Sequence, residues 1–376
     1  MSIARRALLA GAAGAAPAVA LARSGQVPER QARAWRRIAT EEAFWTPKLA
    51  AMNRALAQSL WDQPDFGIVG WSTDPANETY KRLISFEGER LKTMDDDGVA
   101  MHVLSLTVPG VQLFEPTLGS SLARETNDVL HDVVARHSDR FAGLACLAPQ
   151  DPQGAAKEMD RAINGLGLSG FIINSHTNNE YLDEPKSWPI LEAAEALGAP
   201  IYLHPRAPAR TMSEPYSRYG MTGAIWGFQA EAGVHAVRLI LSEVFIRFPR
   251  LQVVLGHMGE SIPYNLWRLD YMSAAGRARR ADPASTAILP SEIFRRNFTI
   301  TTSGVEHAPT LRYAMDVLGS DRIMFAIDWP FQPSGPAVTF MNGVDIPNAD
   351  KAKIFHVNAE RLFRLPPAPA APAGHG

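Results

Sequence analysis

The strongest constraint on the fold is a set of apolar runs that each end in a single polar residue. Ile201-Tyr202-Leu203 leads into His204, Val253-Val254-Leu255-Gly256 into His257, and Ile323-Met324-Phe325-Ala326-Ile327 into Asp328. Near the start, Ile38-Ala39-Thr40 leads into Glu41. A parallel strand covered on both faces reads as a continuous apolar run. A His, Asp or Glu at its last position has left the core and faces a mouth. In a (β/α)8 barrel that mouth, at the C-terminal ends of the strands, is where reactive groups gather.

The rest of the body, residues 36–365, alternates further apolar runs with amphipathic segments. Strands are expected at His102–Leu106, Phe141–Leu147, Gly170–Asn174 and Phe298–Thr302, with helices between them. One long helix is expected over Gly227–Phe248, with Val234, Val237, Ile240, Leu241 and Val244 on its buried face. Eight strands separated by helices predict a distorted (β/α)8 barrel. An open doubly wound sheet shares the pattern, but no glycine-rich phosphate loop follows the first strand. The stretch 44–84 carries Trp45, Trp61, Phe66 and Trp71 with little periodicity. It is read as an irregular insertion that serves as a lid or an oligomer contact.

The chemistry follows from the strand ends. Glu41, His204 and Asp328 offer two carboxylates and one imidazole, a donor set that suits manganese, magnesium or zinc better than copper. Three protein ligands leave positions open for water or substrate. His257 lies three residues before Glu260 in Gly-His-Met-Gly-Glu. Glu260 either orients that imidazole as part of an acid/base pair or only neutralises a helix N-terminus. Arg206 is a candidate partner for a substrate carboxylate or else a solvated loop arginine. His176, after the fourth strand, is a candidate substrate contact. Phe331, just past Asp328, either walls an aromatic substrate or packs the barrel rim.

Composition excludes some classes. Net charge is -2, from 37 basic and 39 acidic residues, which favours neither nucleic acid nor an anionic membrane. The single cysteine, Cys146, rules out an intramolecular disulfide and a thiolate metal site. Residues 1–22 place Arg5-Arg6 before an Ala-rich stretch that ends in Ala20-Leu21-Ala22. This layout predicts a twin-arginine signal and a periplasmic or otherwise exported protein, with an uncleaved cytoplasmic form as the alternative. N-terminal sequencing of protein from its host separates the two. Residues 23–35 read as a linker, and 366–376 as a Pro/Ala-rich tail that cannot pack.

Several motifs occur in one order: Ala39-Thr40-Glu41-Glu42-Ala43-Phe44, Ser105-Leu106-Thr107 with Pro109-Gly110-Val111-Gln112, Tyr202-Leu203-His204-Pro205, Gly256-His257-Met258-Gly259-Glu260 and Ala326-Ile327-Asp328-Trp329-Pro330. Together they resemble the aminocarboxymuconate-semialdehyde decarboxylase group of the amidohydrolase superfamily. Within it they are most similar to the 5-carboxyvanillate, γ-resorcylate and 2,3-dihydroxybenzoate decarboxylases. The resemblance covers roughly residues 38–365. It implies a distorted barrel, a metal held by Glu41, His204 and Asp328, and assistance from His257 and Glu260. It also implies a nonoxidative decarboxylase of an ortho-hydroxylated aromatic carboxylate, while the aromatic stretch 44–84 is the ground for expecting a homodimer or homotetramer. This sequence has Ala43 where the family often has a second histidine, and Phe331 where the 5-carboxyvanillate type tends to have tyrosine. A lactone or amide hydrolase on the same barrel is the alternative activity, and a non-catalytic exported binding protein the alternative class.

Overall fold

The computed structural model describes residues 35–59, 64–280 and 288–367. The expected export segment, linker residues 23–34, Trp61 and the tail from residue 368 lie outside the described residues. Eight strands follow one another: β1 (Ile38–Phe44), β2 (Met101–Leu106), β3 (Phe141–Cys146), β4 (Gly170–Asn174), β5 (Ile201–His204), β6 (Val253–Leu255), β7 (Phe298–Thr301) and β8 (Ile323–Met324). Each pairs in parallel with the next. The ring closes where the Thr40 N–H donates to Phe325 O at 3.1 Å and the Ala43 N–H to Trp329 O at 2.8 Å. Every strand residue is buried, as the unbroken apolar runs require. The (β/α)8 expectation is borne out.

The distortions sit where the polar residues sit. In β1, Ala39 pairs with His102 but Glu42 pairs with Leu104, so β1 holds one extra residue between them. A bulge of this kind re-aims a side chain next to a functional site, and here it frees Glu41 from the ladder. β6 and β8 are shorter than expected. The chain leaves the ladder after Leu255 and after Met324, so His257 and Asp328 stand on irregular backbone just past strand ends.

Other differences have local causes. The stretch 44–84 is largely helical, with helices Pro47–Ser59, Phe66–Ser72 and Glu78–Leu83. Asn77 caps the last by accepting the Thr79 N–H at 2.9 Å. Trp45 is fully buried in the barrel core. The expected long helix is two, Gly227–Leu241 and Val244–Arg247, broken at an extended Ser242. Its buried face carries Glu231, Ala232, His235, Ala236, Leu239 and Ile240, while Val234 and Leu241 are exposed. Two buried polar residues made that face look like the outer one. His235 is satisfied there, accepting the Leu182 N–H at 3.0 Å. Among the described residues, no helix is long and apolar enough to cross a membrane.

Candidate active site

Glu41, His204 and Asp328 converge at the C-terminal mouth of the barrel. One ligand atom from each lies within 4.8 Å of the others. His204 Nδ1–H donates to Pro205 O at 2.7 Å, which leaves the Nε2 lone pair facing inward, 3.6 Å from Glu41 Oε1. Burial pushes the His204 ring down to about 4, so it is neutral at pH 7 and able to ligate. Glu41 Oε2 accepts from Thr301 Oγ1 at 3.1 Å and from Ser303 Oγ. Glu41 Oε1 is buried and finds no hydrogen-bond partner among the described residues. A buried carboxylate oxygen left unpaired is costly, and this one points at the imidazole nitrogens. Burial opposes its ionisation, but His257 and His204 outweigh that and hold Glu41 below the usual carboxylate range. The orphaned oxygen, the neutral imidazole and the second carboxylate fit a divalent metal ion. Gly256 is required by close approach, because a Cβ there would lie 2.9 Å from Glu41 Oε1.

His257 and Glu260 are joined as expected, with Nδ1 2.9 Å from Glu260 Oε1. The local backbone is not the expected start of an α-helix. His257, Met258, Gly259, Glu260 and Ser261 all have positive φ, between 50° and 79°, and the right-handed helix begins only at Ile262. Four non-glycine residues in the left-handed region cost on the order of 1–2 kcal/mol each. Strain of this size collects at functional sites, and here it turns both side chains inward. His257 Nε2 lies 3.8 Å from Glu41 Oε1 and 3.9 Å from Asp328 Oδ2. Burial lowers the ring's affinity for a proton, but Glu41 and Glu260 outweigh it and hold His257 well above the ordinary imidazole value.

Asp328 also has positive φ, 73°. Burial, reinforced by the Glu41 charge, raises its carboxyl to about 7. Glu42 was not singled out in the sequence. Its carboxylate is fully buried and accepts the Ile327 N–H at 3.1 Å and the Trp329 N–H at 3.0 Å, one on each side of Asp328. β8 itself stops earlier, because the Phe325 N–H donates to Ile354 O at 2.8 Å and the Ala326 N–H to Thr302 Oγ1 at 3.1 Å. Two adjacent acids in an apolar strand were the available signal.

The other expected contacts are arranged differently. Arg206 is buried in an ion pair with Asp65, and its guanidinium also donates to His176 O at 2.9 Å. Asp65 accepts the Ala207 N–H at 3.2 Å as well. The structure therefore commits Arg206 to fastening the 44–84 insertion onto the loop after β5, and does not bring it into the ligand cluster. The His176 ring is likewise taken up by loop backbone, with Nε2–H donating to Ala207 O at 3.2 Å and Nδ1 accepting the Asn179 N–H at 3.4 Å. Burial pushes that ring down to about 3. Phe331 is half-buried at the rim, its centroid 6.0 Å from that of Trp71 on the insertion helix Phe66–Ser72. The pair forms an aromatic wall beside the mouth.

The amidohydrolase family model matches residues 25–365. The γ-resorcylate decarboxylase of Rhizobium radiobacter is 38% identical over 319 residues, 83% of this chain and 96% of that protein. The crystal structure of 5-carboxyvanillate decarboxylase from Sphingomonas paucimobilis has a TM-score of 0.86 at 47% identity, covering 89% of this chain and 100% of that one. A dihydroxybenzoic acid decarboxylase from a Polaromonas species, solved with manganese and the inhibitor 2-nitroresorcinol, has a TM-score of 0.77 at 35% identity over 88% of this chain and 97% of that one. The chain belongs to the amidohydrolase family, and these relatives are the aromatic-acid decarboxylases that its motifs resemble.

Proposed function

We propose that this protein is a metal-dependent, nonoxidative carboxy-lyase that removes CO2 from an ortho-hydroxylated aromatic carboxylic acid. The observation that carries the reading is the convergence of Glu41, His204 and Asp328 at the barrel mouth, with His257 Nε2 3.9 Å from Asp328 Oδ2. Asp328, at the mouth beside His257, is the acid placed to pass a proton to a bound substrate. The names of the relatives support the aromatic acid as substrate. Manganese is the proposed native ion, because structures of relatives were solved with manganese bound. Glu41, His204 and Asp328 would hold it.

When bound, such an ion supplies Lewis-acid neutralisation of the substrate's carboxylate and phenol oxygens. The protein's own groups handle the proton. Asp328 delivers it to the ring carbon that bears the carboxylate. Aromaticity is lost at that carbon, the carbon–carbon bond breaks, and its electron pair restores the ring as CO2 departs. His257, held by Glu260, manages the phenol proton. Trp71 and Phe331 wall the ring. The test is product analysis on a panel of hydroxybenzoates with added manganese.

His257 separates proton handling from ligation. In His257→Asn, metal content measured by elemental analysis should stay near one ion per chain. Turnover should drop by about 10²-fold or more, the scale of losing a general acid/base. Loss of the ion in this variant would make His257 a ligand instead.

The proposal includes assembly as a homodimer or a dimer of dimers. Half-exposed Phe66 and Trp71 lie on the insertion, and a second patch lies on the helix Ile262–Arg280. There Tyr264, Trp267 and Tyr271 are 80%, 75% and 60% exposed, and the Trp267 and Tyr271 rings stack at 5.3 Å. Large aromatics clustered in water mark an interaction face, and a face shared by identical copies closes most readily around a twofold axis. Light scattering should give a multiple of the 41.1 kDa chain mass, and Trp267→Glu should shift it toward the monomer. A stable, active wild-type monomer at micromolar concentration would overturn the assembly.

A further inference from the structure

We infer that Glu42 is a positioning residue for the reaction, gripping the backbone on both sides of Asp328 so that its carboxylate meets the substrate; this rests on the reading of Asp328 as the proton donor. Asp328 sits at φ 73° between Ile327 and Trp329. A residue other than glycine held there costs about 1–3 kcal/mol and persists only where its surroundings determine it. Left to itself, the backbone would relax to negative φ and carry the side chain away from the site.

Glu42 is what surrounds it. Its two carboxylate oxygens each accept one N–H, from Ile327 at 3.1 Å and from Trp329 at 3.0 Å. Main chain reinforces the grip, since the Ala43 N–H donates to Trp329 O at 2.8 Å. Arg90 completes it from outside. Its guanidinium lies 4.2 Å from the centroid of the Trp329 ring, and it donates to Ala43 O at 2.7 Å. The end of β1, backed by Arg90, therefore holds the residues flanking Asp328 from three directions, while Glu41, the preceding residue, belongs to the proposed ligand set. A buried carboxyl group that meets only two backbone donors is an expensive way to fill space. An apolar side chain would pack the same position but could not hold two backbone amides at a fixed spacing. Only a group with two acceptor oxygens does that, and the amides it holds bracket the reacting acid.

The test uses Glu42→Gln, measured beside Asp328→Asn. Glutamine keeps the volume but offers one acceptor and one donor, so in either orientation one backbone N–H loses its partner and faces another N–H. At saturating manganese, kcat of the folded variant should fall about 10²-fold, the cost of misplacing a reacting group by about 1 Å. KM should stay within about threefold of wild type. The manganese dissociation constant, measured without substrate, should rise about tenfold, as when a group behind a metal ligand is removed. A merely structural role would lower the melting temperature and leave kcat per metal-loaded molecule unchanged. Wild-type kcat and metal affinity in a folded Glu42→Gln protein, beside an inactive Asp328→Asn, would overturn the role of Glu42 alone. Full activity in both variants would overturn the reading of Asp328 as well. Where Glu42→Gln does not fold, Glu42→Asp, which keeps both acceptor oxygens but is one methylene too short to span both amides, should show the same split between kcat and KM. A wild-type kcat in that variant would overturn the proposal.

Discussion

Asp328→Asn should lower kcat by about 10³-fold or more, the largest loss expected of any single substitution in this protein. The scale comes from removing a general acid, typically 10²–10⁴-fold, from a residue that also belongs to the ligand set. Asparagine preserves the shape of the side chain but has no acidic proton to deliver to a ring carbon. Asp328 is suited to that delivery by its place, since its Oδ2 lies 3.9 Å from His257 Nε2 at the mouth where Glu41 and His204 also converge. Steady-state kinetics on the folded, manganese-supplied variant checks it. A kcat within tenfold of wild type would remove Asp328 from the proton path.

The second large effect is loss of the metal. Chelation of the wild-type protein should abolish turnover, and manganese should restore it. His204→Ala should weaken manganese binding by more than about 10²-fold, beyond the 10–100-fold typical of groups that only support a ligand. The inward Nε2 of His204 is a neutral nitrogen donor in the triad, placed by the bond from Nδ1–H to Pro205 O. Alanine leaves Glu41 Oε1 and Asp328 facing each other with one fewer donor between them. Equilibrium dialysis followed by elemental analysis measures the change. Full activity in protein shown to be metal-free would end the metal-dependent reading.

The convergence of Glu41, His204 and Asp328 was legible in the sequence because each terminates an apolar run, and a strand buried on both faces admits a polar side chain most readily where it leaves the core. The barrel followed from the same runs. The residues that hold this cluster in place were not legible. Thr301 and Ser303, which bind Glu41 Oε2, are small hydroxyl residues in and just past a strand and carry no periodic signal. Arg206 read as a free cation because its partner, Asp65, is 141 positions away. Two of the three helices of the 44–84 insertion, Phe66–Ser72 and Glu78–Leu83, have only 7 and 6 residues, and helices that short draw their stability from tertiary contacts rather than from propensity. The inner face of the helix Gly227–Leu241 was misplaced because Glu231 and His235 are buried polar residues, satisfied by Ala209, Ser175 and Leu182. In each case the deciding partner is remote in sequence.

The most direct measurement is carried out in D2O on the manganese-loaded protein. It is offered 2,6-dihydroxybenzoate, 5-carboxyvanillate and related ortho-hydroxybenzoates, with released CO2 trapped and the aromatic product read by NMR. The expected result is one CO2 per substrate consumed and a phenol carrying a single deuterium at the carbon that bore the carboxylate. Binding of these acids without CO2 release, or hydrolysis of a lactone or amide by the same preparation with the aromatic acids left intact, would contradict it.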